Sequence, residues 1–283
     1  MQTAILRFLT FLREQRGSAD NTILAYRTDL QQMDQVVLRG QGAQTTPPSL
    51  DRQKLRRYVE WLGEQDYRPA TVARKMAAVR SFLDYLEEHE EGVTQDLILE
   101  LQSPPAPRRR PRILTKDEID RLLAAPAQRE TPRGLRDAAI LALLYVTGLR
   151  AAEAVGLRLD DVDLSAGVIR RGGPDAPALK LGVSLPALRR YLEEARSQLN
   201  SNMTEKALFL NQRGQSLSRQ GLWLVVKRWA QACGLGQDVS PYSLRHSLAH
   251  HMLNQGRTRR EVQEHLGLSS PNVLRVGRDK AES

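Results

Sequence analysis

The chain has a single cysteine, Cys233, among its 283 residues. No internal disulfide can form, and no metal cluster can be built on thiolates. A reducing, cytoplasmic compartment fits that usage. No window is apolar and long enough to span a bilayer. The start, Met1 to Leu12, lacks a basic stretch leading into a long apolar core, so no secretory leader is expected. Tyrosine is sparse and unevenly placed. The seven tyrosines stand at 26, 58, 67, 85, 145, 191 and 242, and none falls in the last forty residues. Basic excess is missing from one part of the chain. Residues 1–102 carry 13 Arg and Lys against 15 Asp and Glu, whereas residues 103–283 carry 29 against 18. The formal charge of +9 therefore comes from the second part. A basic half points to a polyanion, nucleic acid first, ahead of a merely solvated basic surface. Hydrophobic residues at 41% exclude a disordered chain, and the length allows one or two domains, each with its own core.

Residues 1–102 read as helical throughout. Asn21-Thr22 offers an N-cap before Ile23, Leu24, Tyr26, Leu30 and Met33, which recur at helical spacing. A loop at Thr45–Leu50 precedes a helix through Leu55, Tyr58, Val59 and Leu62. Val72, Met76, Val79, Leu83 and Leu86 form the apolar stripe of the next helix. Thr71, Arg74, Lys75 and Arg80 fall off that stripe, where they either contact a phosphate backbone or form a solvated face. The acidic run Glu87–Glu91 belongs on the side away from any DNA. Residues 103–112 form a linker whose prolines block helix. Its Arg108, Arg109, Arg110 and Arg112 are candidate backbone contacts.

The second domain, 113–283, opens on Thr115-Lys-Asp-Glu118, a capping-box pattern. Its centre is the stretch Leu141–Leu157. A dense apolar run, too short to cross a membrane, ends at Thr147-Gly148. Arg150 follows, then Glu153 one turn on. Gly148 lets the backbone turn. Arg150 then sits at the edge of a core, where a guanidinium fork can grip a phosphate at two points. Gly167–Arg171, Leu181–Leu185 and Ala207–Asn211 read as short strands, with a turn at Gly172–Asp175. Ser218 caps a helix carrying Leu222, Val225, Val226, Trp229 and Cys233. A further helix follows Ser240, and Thr258–Glu261 is another capping box ahead of a helix ending at Gly267.

Four segments together resemble the tyrosine recombinase (phage integrase) family, in particular its Xer-type members. They are Asn21-Thr-Ile-Leu-Ala-Tyr-Arg-Thr-Asp-Leu30, Arg74-Lys-Met-Ala-Ala-Val-Arg-Ser-Phe-Leu83, Val146-Thr-Gly-Leu-Arg-Ala-Ala-Glu153 and Leu244-Arg-His-Ser-Leu-Ala-His-His-Met-Leu253. Leu208–Gly221 is family-like as well. The resemblance implies a mainly α fold with a small β-sheet, forming a two-domain, C-shaped clamp on double-stranded DNA. A helical, SAM-like core-binding domain (1–102) would face a catalytic-type domain (113–283). It implies transesterification through a phosphotyrosine, with no metal or other cofactor. Arg150 and Arg245 match the family's two phosphate-clamping arginines, and Glu153 its orienting acid. Arg171, Lys180, Arg213, Arg219 and His246 join the candidate DNA contacts.

Other positions depart from the family pattern. Tyr242 stands where the family usually has a histidine, three residues before the second arginine. Leu268 stands where it has His or Trp. The turn Arg170–Asp175 lacks the general-acid lysine, and Lys180 lies further on, in the next strand. Gly277, ten residues beyond Gly267, occupies the nucleophile position. No tyrosine nearby restores it, and His265 packs or solvates rather than replacing the residue at 268. Six residues after Gly277 are too few for the C-terminal helix that family members exchange between subunits, so cyclic assembly is expected to be weakened. The expectation is a DNA-binding, nucleoid-associated protein of recombinase fold that does not cleave DNA alone. The alternatives are a subunit sharing its site with an active recombinase partner that supplies the tyrosine, and an interaction module that inherited only the fold.

Overall fold

Apolar side chains spaced three and four residues apart fold the start of the chain into helices in the computed structural model, which describes residues 1–38, 51–89, 112–170, 177–199 and 205–268. Two units result, Met1–Arg109 and Arg110–Ser283. The described helices of the first are α1 (Gln2–Glu14), α2 (Asp20–Leu38), α3 (Arg52–Glu64) and α4 (Pro69–Glu88). Their core gathers Phe8, Leu30, Met33, Tyr58, Val79, Phe82 and Leu83, all fully buried. Phe8 meets Tyr26, Phe82 and Tyr85 ring to ring, which joins α1, α2 and α4. The start of α2 differs from the sequence expectation. Ala19 carbonyl, not Asn21 or Thr22, receives the first N–H groups, from Thr22 and Ile23. Asp51 caps α3 by accepting the Lys54 N–H at 2.8 Å. Pro69 opens α4, where its missing N–H costs nothing.

The second unit is built around one central helix, Pro132–Thr147. In order come α5 (Lys116–Ala127), α6 (Pro132–Thr147), α7 (Ala151–Val155), strands β1 (Val162–Asp163), β2 (Val168–Arg170) and β3 (Ala178–Lys180), then α8 (Leu185–Arg190). A π turn, Tyr191–Ala195, carries α8 into α9 (Arg196–Leu199). Then follow α10 (Arg219–Ala232), α11 (Pro241–Asn254) and α12 (Arg259–Leu266). Helix α6 is buried on every side, as a central helix is. Residues 134 to 144 are all buried. Asp137, fully buried there, accepts hydrogen bonds from the Arg136 guanidinium, from Arg228 and from Trp229 Nε1 (2.9 Å), which ties α6 to α10. The capping boxes form as the sequence suggests. Thr115 and Glu118 exchange bonds of 3.2 and 2.9 Å, and Thr258 and Glu261 of 3.2 and 2.7 Å.

The sheet is antiparallel in the order β1-β2-β3, with Ile169 opposite Val162 on one side and Leu179 on the other. Two of the expected strands are corrected. Leu181–Leu185 is a 3-10 turn (Gly182–Ser184) leading into α8. Leu181 is buried and Val183 is 76% exposed, although a strand would put both on one face. Pro186 instead serves the first turn of α8. Ala207–Asn211 makes only the isolated bridges Arg158–Ala207 and Leu210–Ser216.

Candidate nucleic-acid interface

Helix α6 ends because Gly148 takes the left-handed conformation (φ 62, ψ 20), where a side chain would be strained. The Gly148 N–H closes on Leu144 carbonyl at 3.0 Å. Leu149 turns inward and Arg150 outward, its side chain 57% exposed. Arg150 is the N-cap of α7. Its own N–H reaches Glu153 Oε2 at 2.8 Å and its guanidinium reaches Oε1 at 3.4 Å. Glu153 thus fixes both the backbone and the side chain of Arg150.

Arg245 comes from the middle of α11, which Ser240 caps through the Ser243 N–H at 3.3 Å. Arg245 is buried. One nitrogen donates to Gly148 carbonyl and the other to Leu266 carbonyl at 2.6 Å. Two carbonyls therefore fix the plane of its guanidinium, and both lie at helix C-termini, where a cation is favoured. Because Gly148 stands two residues before Arg150, the fold brings the two arginines to one turn. Guanidinium groups are the side chains that grip an oxyanion at two points.

The other candidates distribute unevenly. Tyr242, 57% exposed, sits one turn before Arg245, and its ring meets His246 edge-on at 4.1 Å. His246 is buried, which departs from its expected DNA contact. Burial, then the neighbouring Arg245 charge, pushes its pKa down, so it is neutral at pH 7. Below it Tyr145 Oη meets His251 Nδ1 at 2.8 Å. Leu268 joins a small apolar cluster with Leu248, Ala249, Val262 and Leu266. His265 does more than pack, because its Nε2 stands 3.1 Å from Val146 carbonyl. Lys180 is exposed at the end of β3, paired with Val168. Arg219 is exposed at the first position of α10. Arg213 lines an open cavity with Arg136, Arg228 and Leu224.

In the first unit the surface reading of one residue is corrected. Lys75 is buried, with its ammonium 3.0 Å from Asp29 Oδ1, bonded to Gln32, and over the Tyr67 ring at 5.0 Å. The buried Asp29 carboxylate, 46 residues away in sequence, holds Lys75 inside. It also pairs with Arg74, whose side chain stays 43% exposed. Arg80 is exposed and Thr71 half-buried. Arg112 is likewise tied inward, to Glu118 at 2.6 Å and to Leu235 carbonyl. Arg108, Arg109, Arg110, Arg171 and Gly277 lie outside the described residues. Sequence reasoning did not find the carbonyl partners of Arg245 and His265, since no local pattern signals them.

Residues 112–281 match the Phage integrase family, and residues 5–90 match the Phage integrase, N-terminal SAM-like domain. Tyrosine recombinase XerC of Herpetosiphon aurantiacus is 41% identical over 98% of this chain and 90% of its own length. Tyrosine recombinase XerD of Listeria monocytogenes is 36% identical over 98% and 93%. The crystal structure of the XerH site-specific recombinase, bound to its difH substrate before cleavage, shares the fold. It has a TM-score of 0.67 at 21% identity, over 98% of this chain and 81% of that one. With both domain matches and relatives this similar along its length, the chain belongs to the phage integrase family, among the Xer-type tyrosine recombinases.

Proposed function

We propose that the protein binds double-stranded DNA, gripping one backbone phosphate with Arg150 and Arg245, and does not cleave that DNA alone. The observation that carries the reading is the Gly148 turn. It holds one arginine by its own carbonyl and presents the other two residues later. Cleavage needs more than a clamp. It needs a nucleophile in line with the leaving oxygen and an acid to protonate that oxygen. Gly277 has no nucleophile to offer, and Tyr242 and Leu268 stand where family members carry phosphate-binding side chains. Cations without a nucleophile stabilise a bound phosphate and leave it intact. Thr71, Arg80, Lys180, Arg213, Arg219, the exposed part of Arg74 and the linker arginines 108–110 would add backbone contacts. The protein would serve site-specific recombination or DNA integration as an accessory or site-occupying subunit at the nucleoid.

A second reading is favoured by the care with which Arg245 is held. The chain would lend its clamp to a partner recombinase that brings the tyrosine. Duplex titration at several salt concentrations tests the shared core of both. Arg150→Ala should weaken binding roughly tenfold to a hundredfold, the worth of a charged hydrogen-bonding contact. The slope of log K against log salt should fall by about 0.9 per lost phosphate contact. Unchanged affinity and slope would show the pocket to be a relic.

A further inference from the structure

The turn that carries Arg150 is fixed by groups far away in sequence. The last carbonyls of a helix have no partner within it. At the end of α6, Leu144 carbonyl receives the Gly148 N–H, and Gly148 carbonyl receives Arg245. Val146 carbonyl is met by His265 Nε2 at 3.1 Å, across 119 residues. At the end of α12, Leu266 carbonyl receives the other nitrogen of Arg245. Two side chains, Arg245 and His265, thus staple the ends of α6 and α12 to each other. A carbonyl only accepts, so His265 Nε2 carries the hydrogen. The staple is close. A Cβ on Gly148 would lie 2.3 Å from Leu266 Cδ2, and Leu266 is the neighbour of His265.

Val146 is four residues before Arg150, and its peptide opens the Thr147–Leu149 turn. The rest of that turn is held from within α6. Thr147 Oγ1 bonds back to Leu143 carbonyl at 2.7 Å, and Leu149 N–H reaches Thr147 Oγ1 at 3.4 Å. His265 is half-buried, and its neighbours Val262, Leu266 and Leu268 belong to a small apolar cluster.

We infer that His265 is a positioning residue for the phosphate clamp: by holding Val146 carbonyl it sets the turn that aims Arg150 at the phosphate Arg245 meets. The inference rests on the clamp reading above. Its test is a mutant cycle on duplex affinity and salt slope, with His265→Leu, His265→Gln, Arg150→Ala and the Leu/Ala double variant. His265→Leu should weaken binding roughly fivefold to thirtyfold, the range that one or two kcal/mol spans. Its salt slope should move toward that of Arg150→Ala, and the double variant should bind no more weakly than Arg150→Ala alone. His265→Gln places an amide N–H near the Nε2 position and should restore binding. If the leucine variant does not fold, His265→Asn, whose amide is too short to reach, replaces it against His265→Gln. Three results overturn the inference while leaving the clamp standing: leucine binding like wild type, glutamine binding as weakly as leucine, or losses that add in the double variant. An Arg150→Ala protein that binds like wild type overturns both.

Discussion

Gly148→Ala offers a quantitative test of how the Arg245 anchor is built. The new Cβ would lie 2.3 Å from Leu266 Cδ2 and 3.0 Å from Leu248 Cδ2. Two costs combine. The left-handed backbone costs an L-residue about 1–2 kcal/mol. Forcing a methyl group into a packed contact costs about 1–3 kcal/mol. Together they come to about 2–5 kcal/mol if additive. Gly267 is the internal control. It is also left-handed (φ 58) and ends α12, but among the described residues nothing lies within 4 Å of its Cβ position. Gly267→Ala should therefore lose only the backbone part, about 1–2 kcal/mol. Urea unfolding of the full chain, followed by the fluorescence of its tryptophans, reads both variants in the same unit. DNA affinity should fall further in Gly148→Ala than in Gly267→Ala, because the displaced Gly148 carbonyl anchors Arg245. Equal stability losses would refute the close approach of α12 to the end of α6.

Asp29→Asn should cost about 3–5 kcal/mol, because it strips the carboxylate from a buried ammonium at Lys75. An unchanged melting temperature would mean that Lys75 escapes to solvent. His246 and His251 both have pKa values pushed below the ordinary 6.5, chiefly by burial. The unfolded chain then takes up protons that the folded chain refuses. Their contribution is intact above about pH 6.5 and is lost as the pH falls below it. Thermal melts should show the midpoint falling from pH 7.5 to 5.5, with a smaller fall in His251→Gln. An equal fall in that variant would assign the acid sensitivity elsewhere.

The capping boxes are legible because their signals are local. Thr115 with Glu118, and Thr258 with Glu261, need only three-residue spacing to meet. The Leu181–Leu185 misreading is local too, since alternation in five residues does not distinguish a strand from a turn before Pro186. Long-range partners are what the chain conceals. Lys75 looks like a surface cation in α4 until Asp29 of α2 is seen beneath it. Arg112 looks like part of a basic linker until Glu118 and Leu235 claim it. The box around Arg150 and Glu153 is readable because the two residues that meet fall within one turn. The carbonyl that orients Arg245 lies 97 residues away, and only folding reveals it.

The proposed phosphate clamp has no nucleophile of its own with which to cut the DNA it grips. A nicked suicide duplex, on which any cleavage traps a covalent phosphotyrosine, tests it most directly. Such a clamp gives salt-sensitive gel-shifted complexes that vanish completely in denaturant, with Arg150→Ala reducing the shift. A denaturant-resistant adduct formed by this chain alone, mapped to any of its seven tyrosines, would contradict it.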